Sequence, residues 1–194
     1  MQSDLQSQRG KTRTTLQIAL FCAVIIVMTF VPYVGYISYG VLSITTLHLP
    51  VLLGAVLLGP AAGLLLASVW GVTNILNAFL INPIEGAIFL DPRISIVPRV
   101  LVGCVLLLLG LTLMKTKLPL WARAAVFAGI GTLSNTVFVL TAIGLFAGDS
   151  ILPLGETLRM IIQIVVSING AIELGLAVVL IPVLAVRLKP FART

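Results

Sequence analysis

Recognition chemistry in this sequence rests on His48, Asn74, Asn77, Arg99, Asn135, Gln163, Asn169 and Glu173, polar or ionisable residues embedded in apolar surroundings. Such side chains are costly in an apolar segment and are retained where they face a cavity or another helix. The chemistry they offer is binding. No paired carboxylates, Ser/His/Asp set or metal-ligand spacing accompanies them, so neither an enzyme nor a metal site is expected. No phosphate-loop motif occurs, which excludes ATP binding of that familiar kind by this chain. Arg99 is the most pointed of the group. It follows Pro98 and has no carboxylate within a helical turn, so its fork of N–H donors needs an acceptor from elsewhere, and a ligand carboxylate or phosphate would supply one through a bidentate contact. Pairing with Asp91 or Glu85 is the structural alternative.

The elements that position these residues follow from composition. Hydrophobic residues make up 59% of the 194, charged residues 9%, and the mean hydropathy is +1.19, values that describe a multi-pass, all-α membrane bundle. A polar, basic N-terminus runs into an apolar stretch without a small-residue cleavage site, so no cleavable secretory leader is expected. Cys22 and Cys104 lie in apolar segments, where buried thiols are ordinary and a disulfide framework is not expected. Apolar spans are expected at 14–34, 94–114, 121–147 and 157–187. Read as one helix, residues 42–80 would run about 58 Å, far beyond a hydrocarbon core of about 30 Å. Gly59-Pro60 divides them into two, for six spans; the second contains Pro50 and is the shortest. The count decides the charges. With six helices, Arg9, Lys11, Arg13, Lys115, Lys117, Arg123, Arg187, Lys189 and Arg193 fall on one side, which the positive-inside rule makes cytoplasmic together with both termini. This explains the net charge of +6 without nucleic acid. The expected division is a basic segment 1–13, a bundle 14–187 and a basic tail 188–194.

That orientation gathers the polar residues. His48, Asn74, Asn77, Arg99, Arg159 and Gln163 fall in the outer part, with Asn135, Asn169 and Glu173 nearer the middle, a pattern of one pocket open to the exterior. The amides have an alternative use as interhelical hydrogen bonds. His48 has one in satisfying local backbone, Arg159 in snorkelling outward, and Glu173, one turn from Asn169, in a hydrogen bond within the bundle or a proton relay. Tyr33, Tyr36 and Tyr39, among glycines and hydroxyls at 31–50, suit an aromatic belt or a lid over a bound solute. Residues 77–95, broken at Asn82-Pro83 and Asp91-Pro92, form a second exterior loop. Ala19 and Ala23 stand four apart in LQIALFCAVIIVM; small residues at this spacing let helices approach closely, either inside the bundle or against another membrane subunit.

Taken together, the basic N-terminus, six spans, the A-x-x-x-A strip, and the segments LHLPVLLGAVLLGPAAGLLLASVWGVTNILNA, ISIVPRVLVG, GTLSNTVFVL and SINGAIELGLAVVLIP resemble the substrate-binding S components of energy-coupling factor (ECF) vitamin transporters, over nearly the whole chain. The resemblance implies vitamin capture at the outer side and association with a transmembrane coupling subunit and two cytosolic ATPases. ATP and magnesium then belong to those partners, with no cofactor in this chain. It also implies that Ala19 and Ala23 face the coupling subunit. Among the branches the segments are most similar to the pantothenate type, where Arg99 and Asn135 match pocket positions and an arginine suits the vitamin's carboxylate. Cobalamin is the runner-up, ahead of hydroxymethylpyrimidine or a queuosine precursor. Two other classes stay open: a proton-coupled secondary carrier using Glu173, and an assembly protein whose polar residues only join helices.

Overall fold

The computed structural model describes residues 2–38, 43–81, 86, 88–113, 115–146 and 155–191; the side chains of 2–7, 9, 38, 155–159 and 161–163 lie outside the description. Six helices account for most of it: α1 (Gln2–Phe30), α2 (His48–Leu58), α3 (Pro60–Leu80), α4 (Pro92–Leu113), α5 (Leu120–Phe146) and α6 (Gly155–Leu188). A two-stranded antiparallel hairpin, β1 (Tyr36–Ser38) with β2 (Ser43–Thr45), joins α1 to α2 and pairs Ile37 with Ile44. A short 3-10 turn, Lys189–Phe191, follows α6.

Five of the helices are long and apolar enough to cross a membrane. The second is not: α2 has 11 residues, about 16 Å of helix. Of the stretch from residue 42 expected to form this span, residues 43–45 are β2, and helix starts only at His48. Pro50 then sits in the first turn of α2, where its missing N–H costs no intrahelical bond. Gly59 separates α2 from α3 at φ 104 and ψ 166, a backbone region open to glycine and strained for other residues. Pro60 opens α3 at a position where no amide donor is required.

The helix ends sort by charge. A groove lined by Arg13, Leu57, Leu58 and Leu188 brings the middle of α1, where its apolar run begins, together with the ends of α2 and α6. A neighbouring cavity lined by Leu58, Pro60, Leu113, Leu120 and Arg123 adds the start of α3, the end of α4 and the start of α5. Gln17 Nε2, in α1, donates to the carbonyl of Phe191 at this same end. Arg13, Lys115, Lys117, Arg123, Arg187 and Lys189 therefore share one end of the bundle, the basic end, while the hairpin and Arg93, paired with Asp91, lie at the other.

Burial runs against the pattern of a water-soluble domain. Large apolar side chains such as Leu20, Val27, Phe79, Leu108, Leu133 and Val179 are exposed, whereas Asn74, Asn77, Arg99, Asn135, Asn169 and Glu173 are buried. In lipid this costs nothing outside, because hydrocarbon is as apolar as leucine, and inside it concentrates the groups able to bind one another or a solute. One apolar cluster around Leu52, Leu66, Trp70, Leu106 and Ile181 knits α2, α3, α4 and α6. A smaller one with Ile88, Ile94, Val139 and Ile143 joins the opposite ends of α4 and α5. The α3–α4 and α5–α6 pairs pack most extensively, and Gly170 permits the latter, since a Cβ there would run into the Thr136 side chain. α1 is the peripheral span, with 11% of its most apolar window buried against 50% for α3.

Candidate functional site: a polar cavity beneath the hairpin

Between the two apolar clusters lies a cavity lined by Tyr36, Ser43 and Thr45 of the hairpin, Asn74 of α3, Phe89, Arg99 of α4, Asn135, Thr136 and Val139 of α5, and Val166, Asn169, Gly170 and Glu173 of α6. Helix geometry supplies the convergence. Asn135 and Val139 are one turn apart on α5, Asn169 and Glu173 one turn apart on α6, so each pair shares a face.

Arg99 is positioned by its neighbour. Pro98 has no N–H to give to the carbonyl four residues back, which is that of Ile94, and Arg99 Nη1 donates to that carbonyl at 2.8 Å. The side chain of one residue thus satisfies the acceptor that the preceding residue releases. Aromatic faces hold the rest of the head, with Trp70 and Phe89 ring centroids 5.2 Å and 5.4 Å from the guanidinium carbon, a cation–π arrangement that keeps the charge while excluding water. Arg99 is 4% exposed. Across the cavity Asn135 contributes the complementary group: its Oδ1 is buried and has no hydrogen-bond partner among the described residues. An orphaned buried acceptor is costly unless a donor reaches it. The wall therefore offers a cationic fork for an anion and an acceptor for a hydroxyl or amide N–H.

A directed chain of hydrogen bonds forms the second wall. Tyr36 Oη donates to Asn74 Oδ1 at 2.6 Å, Asn74 Nδ2 donates to Ser95 Oγ at 2.9 Å, and Ser95 Oγ donates to the Phe89 carbonyl. The hairpin is tied to α6 as well: Thr45 N donates to Glu173 Oε1 at 2.7 Å and Asn169 Nδ2 donates to the Ser43 carbonyl at 3.2 Å. The spacing matches, because four helix residues rise about 6.0 Å and two strand residues about 6.6 Å, so β2 can lie along α6 with both bonds in register.

The cavity measures about 60 Å³. Pockets for small organic ligands run to about 300–1,000 Å³. In this conformation the hairpin lies over the cavity, which is smaller than such a ligand.

The structure brings Arg99, Asn135, Asn74, Asn169 and Tyr36 to one place, and leaves others of the sequence candidates apart. Asn77 is buried away from the lining and donates to the Thr29 carbonyl at 2.8 Å, joining α3 to α1. His48 is buried at the start of α2, outside the lining, with neither ring nitrogen partnered among the described residues. Tyr33 is 73% exposed, at φ 63, in the turn after α1. Tyr39, Glu85 and the side chains of Arg159 and Gln163 lie outside the described residues. Asp91 does not serve Arg99; it binds Arg93 at 2.7 Å, and the hydrogen bonds from Arg93 hold its carboxyl below the usual carboxylate range. Glu173, which sequence reading could only describe as bonded within the bundle or a proton relay, has a backbone amide of the hairpin as its partner. Ser43, Thr45 and Thr136 were not singled out from sequence; only the adjacency of Thr136 to Asn135 hinted at any of them.

Ala19 and Ala23 are exposed on α1, so neither is packed within the monomer. Both cysteines are free. Among the described residues no cluster of three or more His, Cys, Asp or Glu has metal-binding geometry.

Comparison with known proteins adds to this geometry. The sequence profile described as "ECF transporter, substrate-specific component" matches residues 14–185. The pantothenic acid transporter PanT of Lactococcus lactis subsp. cremoris strain MG1363 is 31% identical over 188 residues, covering 89% of this chain and 92% of that protein. The pantothenate transporter PanT of Leuconostoc mesenteroides subsp. mesenteroides is 28% identical over 206 residues, covering 94% and 95%.

Proposed function

The chain belongs to the family of ECF transporter substrate-specific components, and on that premise we propose that it captures pantothenate from outside the cell and delivers it inward with an ATP-driven coupling complex. The protein is a multi-pass membrane protein and a transporter subunit. The observation that carries the vitamin assignment is the pairing of Arg99 with Asn135 in one buried cavity, a cation for a carboxylate and an acceptor for a hydroxyl or amide. Two pantothenate transporters among its relatives support it. Cobalamin finds no such support among these relatives.

In this reading the basic end faces the cytoplasm and the hairpin faces out. Solute enters when the hairpin lifts from α6, the carboxylate docks on Arg99, and re-formation of the Glu173 and Asn169 bonds to β2 closes the site. Glu173 is a fastening for the lid rather than a proton-coupling group. Ala19 and Ala23 present a low-relief strip to a transmembrane coupling subunit, and ATP and magnesium act in two cytosolic ATPases.

Calorimetric titration of the purified subunit with pantothenate tests the assignment. Arg99→Ala is expected to weaken binding by a factor of about 30–1,000, the cost of removing one member of a buried charge pair. Asn135→Ala is expected to weaken it by about 5–30-fold. Unchanged affinity in both variants, with the fold intact, would reject the site. Tight binding of another vitamin and none of pantothenate would reject the ligand.

A further inference from the structure

At the basic end, away from the vitamin site, a second cavity of about 470 Å³ opens between the α2–α3 turn and the α4–α5 connection. Its walls include Val56, Leu58, Pro60, Leu113 and Phe127, and among the described residues Arg123 is the sole charged one lining it. Arg123 Nε is buried and has no hydrogen-bond partner among the described residues. A buried donor of an arginine left without an acceptor is unfavourable, and a phosphate diester satisfies such a fork with two parallel bonds.

The placement of Arg123 has no explanation within its own helix. It lies in the first turn of α5 (Leu120–Phe146), the electropositive end, where a cation is disfavoured and an anion favoured. α3 also begins at this cavity, and α2 and α4 end at it, so the helix ends offset one another and the positive character comes from side chains. Lys115 and Lys117, both exposed, stand on the adjoining connection, and Trp121 is 59% exposed beside Arg123, as an interfacial aromatic would be. The surroundings therefore combine a positive rim with a greasy interior. A free inorganic anion would use the rim and leave the interior unmatched; a headgroup phosphate with its glycerol and first acyl carbons matches both.

We propose that this cavity holds one anionic phospholipid of the leaflet at the basic end, its phosphate on Arg123 and its glycerol backbone against Leu113 and Phe127. The site depends on the membrane reading of the bundle, and not on which vitamin is bound.

Native mass spectrometry of the full-length subunit released from micelles containing equal phosphatidylglycerol and phosphatidylcholine tests this. The wild type is expected to retain one phosphatidylglycerol per chain in clear preference to phosphatidylcholine. Arg123→Gln is expected to lower that retention by about tenfold, with Arg123→Lys between the two because an ammonium keeps charge without the fork. Equal retention of both lipids by the wild type would overturn the proposal without recourse to any variant. So would undiminished retention by Arg123→Gln, or displacement of the lipid by millimolar inorganic phosphate, which would mark a simple anion site. Pantothenate titration of Arg123→Gln, expected to be unchanged, reports folding and separates failure here from failure of the vitamin assignment.

Discussion

Arg99 owes its position to a proline, and this makes a test at the scale of single residues. In Pro98→Ala the restored amide supplies the Ile94 carbonyl in the ordinary helical manner, and the guanidinium loses the bond of 2.8 Å that now holds it. Pantothenate affinity is expected to fall by roughly 3–30-fold, in keeping with loss of a charge-assisted hydrogen bond. Thermal stability should hold or rise, because an interior proline is unfavourable for a helix. Calorimetric titration and a melting curve on the same sample check both halves; weaker binding accompanied by a lower melting temperature would indicate general damage instead. Sequence alone could identify Arg99, since an arginine in an apolar run stands out by cost. It could not separate Asn74 from Asn77. The two are of one residue type and three positions apart, close to a single helix face, yet one lines the cavity and the other binds the Thr29 carbonyl of α1.

The hairpin is the element that covers the cavity. Its strands have three residues each, too few for an alternating pattern to be read, and a two-stranded ribbon is marginal by itself. Its stability here comes from α6, through Thr45 N to Glu173 and Asn169 to the Ser43 carbonyl, and from Tyr36 on Asn74. Thr45→Pro removes the backbone donor, and Glu173→Ala removes the acceptor. Both are expected to speed pantothenate release by roughly 5–50-fold, a loss of about 1–2.5 kcal/mol of closure, with little change in association. Stopped-flow release measurements distinguish this from a lost ligand contact, and unaltered release in both variants would remove the latch from the mechanism. The α2 boundary carries the same lesson. Gly59-Pro60 announced a break from sequence, but the start at His48 depended on β2 taking the residues before it.

At the scale of the whole molecule the arrangement is a polar cavity at the hairpin end, basic flanks at the other, and a peripheral α1 with Ala19 and Ala23 outward. Ala19→Trp and Ala23→Trp are expected to leave pantothenate affinity of the isolated subunit within about twofold while reducing co-purification with the coupling complex at least about tenfold, as bulk on a close-approach strip would. Affinity chromatography of the co-expressed complex measures the second quantity, and intact co-purification would move the interface elsewhere. Composition and span length were enough to fix the solvent, the six helices and the common end of the basic flanks at 13, 115–123 and 187–189, because hydrocarbon thickness and the cost of charge act on them without reference to neighbours. Tertiary structure alone decided which buried amides meet a cavity and which join helices, and that Glu173 fastens a hairpin whose amide lies 128 residues away in the chain. Those outcomes depend on helix rotation and on contacts between distant segments, which sum over the whole packed bundle and leave no local trace in residue type or spacing.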